Sequence, residues 1–124
     1  MALNPMTITD PEEGREYTLE FSRKTVKKAE DAGLDITMLD SKPMTLYYLF
    51  WWSAFLMHHP YMKQDATDKI LDALGGVRAM STIKNEAGES LVEYLAKLYA
   101  EPFNTLVPGE DEGTANPPKM AVKF

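Results

Sequence analysis

Apolar and polar residues alternate in two short segments near the start of the chain. Residues 6–9 read Met-Thr-Ile-Thr and residues 17–21 read Tyr-Thr-Leu-Glu-Phe, with the turn-forming sequence Asp-Pro-Glu-Glu-Gly between them. Alternation places every second side chain on one face of a strand, and Pro and Gly favour a reversal of the chain. The pattern therefore predicts a β-hairpin over about residues 6–21. A lone hairpin is marginally stable in water, so it must pack on helices or pair with another chain.

A helix is predicted directly after the hairpin. Ser22 is a typical N-cap residue, and Phe21 and Val26 occupy the two positions of a hydrophobic staple around it. The helix is expected to run over residues 23–32 and to end at Gly33, which can take the left-handed conformation. The cations near its start are Arg23, Lys24, Lys27 and Lys28. Because cations at this end oppose the helix dipole, they form either an ordinary solvated face or a basic patch that meets an acidic partner.

The middle of the chain contains a strongly apolar segment. Residues 44–57 read Met-Thr-Leu-Tyr-Tyr-Leu-Phe-Trp-Trp-Ser-Ala-Phe-Leu-Met, and no Asp, Glu, Lys or Arg occurs over residues 44–62. Pro43 suits a first helical turn and Pro60 follows the segment, which predicts a helix over about residues 43–58. A helix without a polar face lies at the centre of a bundle or in an oligomer interface. As a helix, the apolar run is about 21 Å long, whereas the hydrocarbon core of a bilayer is about 30 Å thick and needs about 20 residues to cross. We therefore expect no membrane association.

Two more helices are predicted in the second half of the chain. Asp65 is a candidate N-cap for a helix over residues 66–74, which two consecutive Gly residues then end. A last long helix is expected over about residues 86–101, and Pro102 is expected either to end it or to kink it, with one further turn over residues 103–107. Four apolar residues fall on one face of that helix at the spacing of an amphipathic pattern: Leu91, Tyr94, Leu95 and Leu98.

The last part of the chain changes character. Residues 108–124 lack apolar periodicity and begin with Pro-Gly-Glu-Asp-Glu-Gly, which predicts a flexible acidic tail. The fold class that we expect is therefore mainly α. It is a small helical bundle around the central apolar helix, with the N-terminal β-hairpin, in a single domain over residues 1–107.

Composition excludes several classes of protein. The chain has 124 residues, with 13 Lys and Arg against 19 Asp and Glu, which gives a net charge of −6. This balance argues against a general nucleic-acid binder, which needs a clustered cationic surplus. The chain has no Cys, which excludes disulfides, Cys-ligated zinc, iron–sulfur clusters and thiol catalysis. Its first residues lack the basic and apolar regions of a signal peptide, so we expect a cytoplasmic protein.

Candidate catalytic and metal-binding residues are sparse. His58 and His59 are the two histidines of the chain, and neighbouring side chains on a helix diverge by about 100° and rarely hold one metal. Ser53 lies about one turn before His58, but no nucleophile-elbow motif surrounds it. We therefore predict no catalytic residues, no cofactor-binding residues and no metal ligands.

The apolar helices are the candidate contact surfaces. Residues 47–55 contain six aromatic side chains, and a chain of this length has difficulty surrounding such a helix alone. The segment is therefore either an ordinary core or an adaptable surface that binds helices, to which Met-rich sequences are suited. The candidate residues for partner binding or self-association are Leu46, Leu49, Phe50, Trp51, Trp52, Phe55, Met57, Leu91, Tyr94, Leu95 and Leu98.

Three segments together resemble a known family. They are residues 16–36, 41–60 and 91–106. Their most specific elements are Phe-x-Arg-Lys-Thr-Val-Lys at 21–27, Lys-Pro-Met-Thr at 42–45, Ala-Phe-Leu-Met-His-His at 54–59 and Leu-Tyr-x-Glu-Pro at 98–102. In this order the segments are similar to small tail assembly chaperones of long-tailed phages and prophages of Gram-positive bacteria.

The resemblance implies a function without catalysis. Such chaperones bind the tape measure protein, keep it soluble while tail-tube protein polymerises around it, and leave before the tail is complete. For this chain, the resemblance implies a protein of the host bacterial cytoplasm that is absent from the mature virion and binds the tape measure protein. The apolar helix also predicts a homo-oligomer, and we expect no cofactor, nucleic acid or membrane as partner. Two alternatives stay open: a structural tail or connector component retained in the virion, and a small helical regulator whose recognition helix would carry the cations of residues 23–28.

Overall fold

The N-terminal hairpin forms as the alternation predicts. In the computed structural model, which describes residues 3–104, β1 (Met6–Thr9) pairs antiparallel with β2 (Glu16–Leu19). The apolar side chains of the hairpin that face the helices are buried: Met6, Ile8, Tyr17, Leu19 and Phe21. The second strand is shorter than predicted because the Glu20 amide donates to the backbone oxygen of Ala54 at 2.9 Å instead of extending the hairpin.

The first helix has the predicted caps. α1 (Arg23–Asp31) begins after Ser22, whose hydroxyl accepts from the Thr25 amide at 3.2 Å. The Thr25 hydroxyl in turn accepts from the Ser22 amide at 2.8 Å, so the two residues form a capping box. Gly33 follows the helix with φ +108°, a conformation that favours glycine. A 3₁₀ turn, Ile36–Met38, leads on to the central helix.

The central helix lies inside the domain. α2 (Pro43–Phe55) has Pro43 in its first turn and packs against α1, β2 and α3 (Gln64–Leu74). It ends three residues earlier than the sequence predicts, because residues 56–58 form a turn.

The start of α3 differs from the prediction. Lys63 is the N-cap, in extended conformation and without a side-chain hydrogen bond to the helix, and Asp65 already lies in the first turn. Asp65 is therefore wrong as the N-cap. A carboxylate in the first turn still interacts favourably with the helix dipole. Gly75 ends the helix at φ +129°, as the Gly pair predicts, and a 3₁₀ turn (Gly76–Arg78) and α4 (Ala79–Thr82) follow.

The last helix begins later than predicted and continues past Pro102. α5 (Leu91–Asn104) is preceded by an antiparallel bridge between Lys84 and Ser90, and the predicted first helical turn, from residue 86, instead forms a turn between these two residues. Ser90 and Glu93 form the N-terminal cap, since the Ser90 amide donates to the Glu93 carboxylate at 2.9 Å and the Glu93 amide donates to the Ser90 hydroxyl at 3.2 Å. Pro102 lies inside the helix and does not end it.

Two predictions about the whole chain have different outcomes. The mainly helical fold with an N-terminal hairpin is confirmed. The predicted tail over residues 108–124 lies outside the described residues, as do the last three residues of the predicted domain. No helix among residues 3–104 is long and apolar enough to cross a membrane.

Candidate functional site

Most of the predicted contact residues form the core of a single chain. The buried ones are Leu46, Leu49, Phe50, Trp51, Phe55, Leu91, Tyr94, Leu95 and Leu98. Trp52 is half-buried and Met57 is 40% exposed. One chain therefore covers most of its central helix, contrary to the expectation from its length. A partner-binding role for the nine buried residues stays a prediction that would require the domain to open.

Directional contacts fix this core in one arrangement. The indole nitrogen of Trp51 donates to the backbone oxygen of Thr67 at 2.9 Å, and the indole nitrogen of Trp52 donates to the backbone oxygen of Met62 at 3.1 Å. The ring of Tyr99 meets two other rings edge to face, at centroid distances of 5.1 Å to Phe21 and 5.7 Å to Phe50. These contacts join the hairpin end, α2, α3 and α5, so this core specifies the fold of one chain.

An open groove lies between α1 and the C-terminal end of α5. Its volume is about 460 Å³, and its lining residues are Arg23, Lys24, Val26, Lys27, Glu30, Pro102 and Phe103. Phe103 is 49% exposed, with its ring centroid 6.0 Å from that of Tyr99. The groove thus combines an exposed phenyl ring with three of the four predicted cations. Lys28, the fourth, is exposed on α1 but does not line the groove.

The groove carries a cationic surplus. Lys27 forms an exposed ion pair with Asp31 at 3.0 Å, whereas Arg23 and Lys24 have no carboxylate within 4 Å among residues 3–104. Glu30 interacts with the hydroxyl of Tyr99; burial raises the pKa of Tyr99, and the Glu30 carboxylate contributes to that rise. The arrangement is chemically suited to a segment that offers both carboxylates and apolar side chains.

The sequence predicted one side of this groove and missed the other. The cations of α1 were recognisable from their spacing. Phe103 was not among the predicted contact residues, because it follows Pro102, where the sequence predicts an end or a kink of the helix. In the structure the helix continues to Asn104 and presents the phenyl ring beside α1.

Other large apolar side chains are exposed near the ends of the central helix. They are Met38, Met44, Met57 and Tyr61, with exposed fractions of 40% to 93%. Single exposed apolar residues are common on protein surfaces, so they do not by themselves indicate a site.

The two histidines hold the hairpin against the end of α2. The Nε2 atom of His59 accepts from the Thr18 amide at 3.1 Å, and the Nε2 atom of His58 lies 2.7 Å from the Glu20 carboxylate. Burial lowers the pKa of His59, and the neighbouring His58 lowers it further. The rings have different partners, and no group of three or more His, Asp or Glu residues within the described range could hold a metal ion.

Comparisons with known proteins place the chain in a family. No curated protein and no solved structure matches it. The model of one family, described as "Domain of unknown function (DUF5055)", matches residues 1–124. Because this match covers the whole sequence, the chain belongs to the DUF5055 family.

Proposed function

We propose that this protein is a non-catalytic phage tail assembly chaperone that binds the tape measure protein and keeps it soluble in the host bacterial cytoplasm. The observation that carries the proposal is the ordered resemblance of residues 16–36, 41–60 and 91–106 to that family. These segments contribute α1, α2 and α5, the helices that build the core and border the groove.

The groove between α1 and α5 is the surface that best suits such a partner. It is accessible without opening the core, and it offers Phe103 as an apolar anchor among cations. A helical protein with an exposed apolar stripe and nearby carboxylates matches it in both respects. In this proposal each copy shields one stretch of the partner, and several copies together gain from multivalency.

Self-association uses a different part of the surface in this proposal. The amides of Thr18 and Glu20 point away from β1 and donate to His59 and Ala54. The outer edge of β2 is therefore covered, whereas the outer edge of β1 has no backbone partner at Thr7 or Thr9 in the described part of the chain. Antiparallel pairing of β1 with β1 of a second copy would occupy it.

Co-expression with the tape measure protein tests the function. We expect the wild-type protein to keep the tape measure protein in the soluble fraction, and Phe103→Ser and Lys24→Glu to reduce that fraction severalfold. Lys28→Glu is the matched control for charge, because it makes the same change on the same helix outside the groove. Tyr61→Ser is the matched control for loss of an exposed ring, since Tyr61 is 93% exposed and lies away from the groove.

The outcomes separate the function from the surface. If the folded wild-type protein leaves the tape measure protein insoluble, the proposed function is wrong. If all four variants solubilise it as well as the wild type does, the groove is not the binding surface.

A structural tail component is the second candidate. The open edge of β1 favours it, because a component that stays in a particle needs repeated contacts between copies. Mass spectrometry of purified virions separates the two, since a chaperone should be absent and a structural component should be present in stoichiometric amounts.

A further inference from the structure

We propose that the groove between α1 and α5 binds an acidic segment of the same chain, residues 105–112, which lies beyond the described residues. The segment reads Thr-Leu-Val-Pro-Gly-Glu-Asp-Glu. Its carboxylates, Glu110, Asp111 and Glu112, would pair with the cations of the groove, and Leu106 and Val107 would cover the exposed ring of Phe103.

The first support is proximity along the chain. Phe103 lines the groove and Asn104 ends α5, so the segment begins beside the groove. Glu110 follows Asn104 by six residues, which span at most about 20 Å when extended. The face of α1 from Arg23 to Lys27 is shorter than this, about 6 Å along the helix axis. The carboxylates can therefore reach every cation of the groove.

The second support is complementary charge. Arg23 and Lys24 lie in the first turn of α1, where they oppose the helix dipole and have no carboxylate partner within residues 3–104. An anionic segment placed there would satisfy both the cations and the positive end of the dipole. Each exposed ion pair is individually weak, but tethering gives the segment a millimolar effective concentration. The ion pairs and the apolar contact with Phe103 together therefore need only a millimolar affinity.

This inference does not depend on the proposed function. Binding of the segment within one chain can be measured with the protein alone. Where the proposed function also holds, the segment would compete with an acidic partner for the same groove and would weaken its binding.

A spin label on the segment tests the proposal. The chain has no native Cys, so Thr114→Cys gives a single labelling site next to the three carboxylates. In the full-length ¹⁵N-labelled protein at low salt, we expect the amide signals of residues 23–27 and of Phe103 to lose about half of their intensity or more when the label is paramagnetic. We expect this loss to be largely reversed in 0.5 M salt, where the Debye length is only about 4 Å.

Two sets of variants make the test specific. Neutralising the segment with Glu110→Gln, Asp111→Asn and Glu112→Gln should abolish the intensity loss. Lys24→Glu should also abolish it, whereas Lys28→Glu, which makes the same charge change on an exposed position outside the groove, should preserve it. The dispersion of the amide spectrum reports whether each variant is folded.

Three results would overturn the proposal. The first is full intensity for residues 23–27 in the labelled wild-type protein. The second is the same loss in the wild type and in the neutralised variant, which would mean that charge does not position the segment. The third is a loss of equal size when the spin label is on unlabelled copies mixed with ¹⁵N-labelled copies, which would assign the groove to the segment of a second copy.

Discussion

At the scale of single residues, the sequence predicts which side chains are buried but not whether the same chain or a partner covers them. Trp51 has no exposed surface, and its indole nitrogen bonds to the backbone oxygen of Thr67. The apolar sequence around Trp51 indicates that it must be covered. It does not indicate whether the cover comes from the same chain or from a partner, because that depends on packing between segments that are distant in sequence.

Trp51→Phe should destabilise the domain by about 2–3 kcal/mol. The change leaves a void in a close-packed core and removes the donor to a buried carbonyl. Urea unfolding followed by circular dichroism measures the loss. Trp52→Phe is the matched control, since it removes an indole donor from a half-buried site, and we expect it to cost less than half as much. Equal losses in the two variants would contradict the assignment of Trp51 to the core.

His59 should make the stability of the domain depend on pH. Its pKa in the folded protein lies below the ordinary value of 6.5, because burial and the neighbouring His58 disfavour its charged form. The unfolded chain therefore binds a proton more readily than the folded chain. The contribution of His59 to stability is constant well above pH 6.5, and it decreases as the pH falls below about 6.5 towards the pKa of the folded state.

Unfolding measurements from pH 8 to pH 5 check this dependence against His59→Gln. The Gln side chain offers an oxygen acceptor for the Thr18 amide but does not titrate in this range. The pKa of Asp68 is raised by burial, so Asp68 changes stability in the opposite direction as the pH falls. The difference between the two proteins therefore isolates His59. Parallel curves between pH 7 and pH 5 would contradict the prediction.

At the scale of elements, the helices were predictable and several of their ends were not. Local sequence signals were sufficient for α1, where Ser22 caps the helix as expected. The predicted start of α5 near residue 86 was wrong, although the sequence contains the Ser-x-x-Glu capping box, Ser90 and Glu93, at which the helix begins. The bridge between Lys84 and Ser90 pairs residues across a turn, and helical periodicity alone gives no signal for such a pair.

Ser90→Ala should destabilise the domain by about 1 kcal/mol. The change removes the hydroxyl that accepts from the Glu93 amide and leaves the first turn of α5 without its side-chain cap. Chemical unfolding of the wild type and the variant measures the difference. Ser81→Ala serves as the control, because Ser81 is exposed and its hydroxyl donates to the Arg78 carbonyl, at 3.2 Å, without capping a helix N-terminus. A loss for Ser90→Ala no larger than that for Ser81→Ala would argue against the capping box.

At the scale of the whole molecule, the groove illustrates what sequence patterns leave out. One wall carries residues 23–30 and the other carries Pro102 and Phe103, more than 70 positions later in the chain. The cations of α1 were predictable as a patch. Their place beside an exposed ring depends on how α1 and α5 pack against each other, and no local pattern encodes that arrangement.

Self-association is the last property that belongs to this scale. Because the apolar residues of α2 and α5 are largely buried within one chain, contacts between folded copies must use the remaining surface. In the described part of the chain, the outer edge of β1 has unpaired backbone groups at Thr7 and Thr9. An edge strand with uncharged side chains is a template for pairing, and a Lys on the edge opposes it.

Sedimentation velocity over about 10–500 μM distinguishes this edge from other surfaces. We expect the wild-type protein to associate reversibly, weakly because β1 has only four residues, and Thr9→Lys to weaken that association severalfold. Thr45→Lys adds the same charge at an exposed position at the start of α2 and should leave association unchanged. A wild-type protein that stays monomeric over this range, or equal association of all three proteins, would contradict pairing through β1. Trp51 and Leu95 remain inside each copy in this arrangement. In a Trp52→Phe variant, where Trp51 is the remaining tryptophan, the fluorescence should therefore not change with concentration, whereas an interface built from the core would change it.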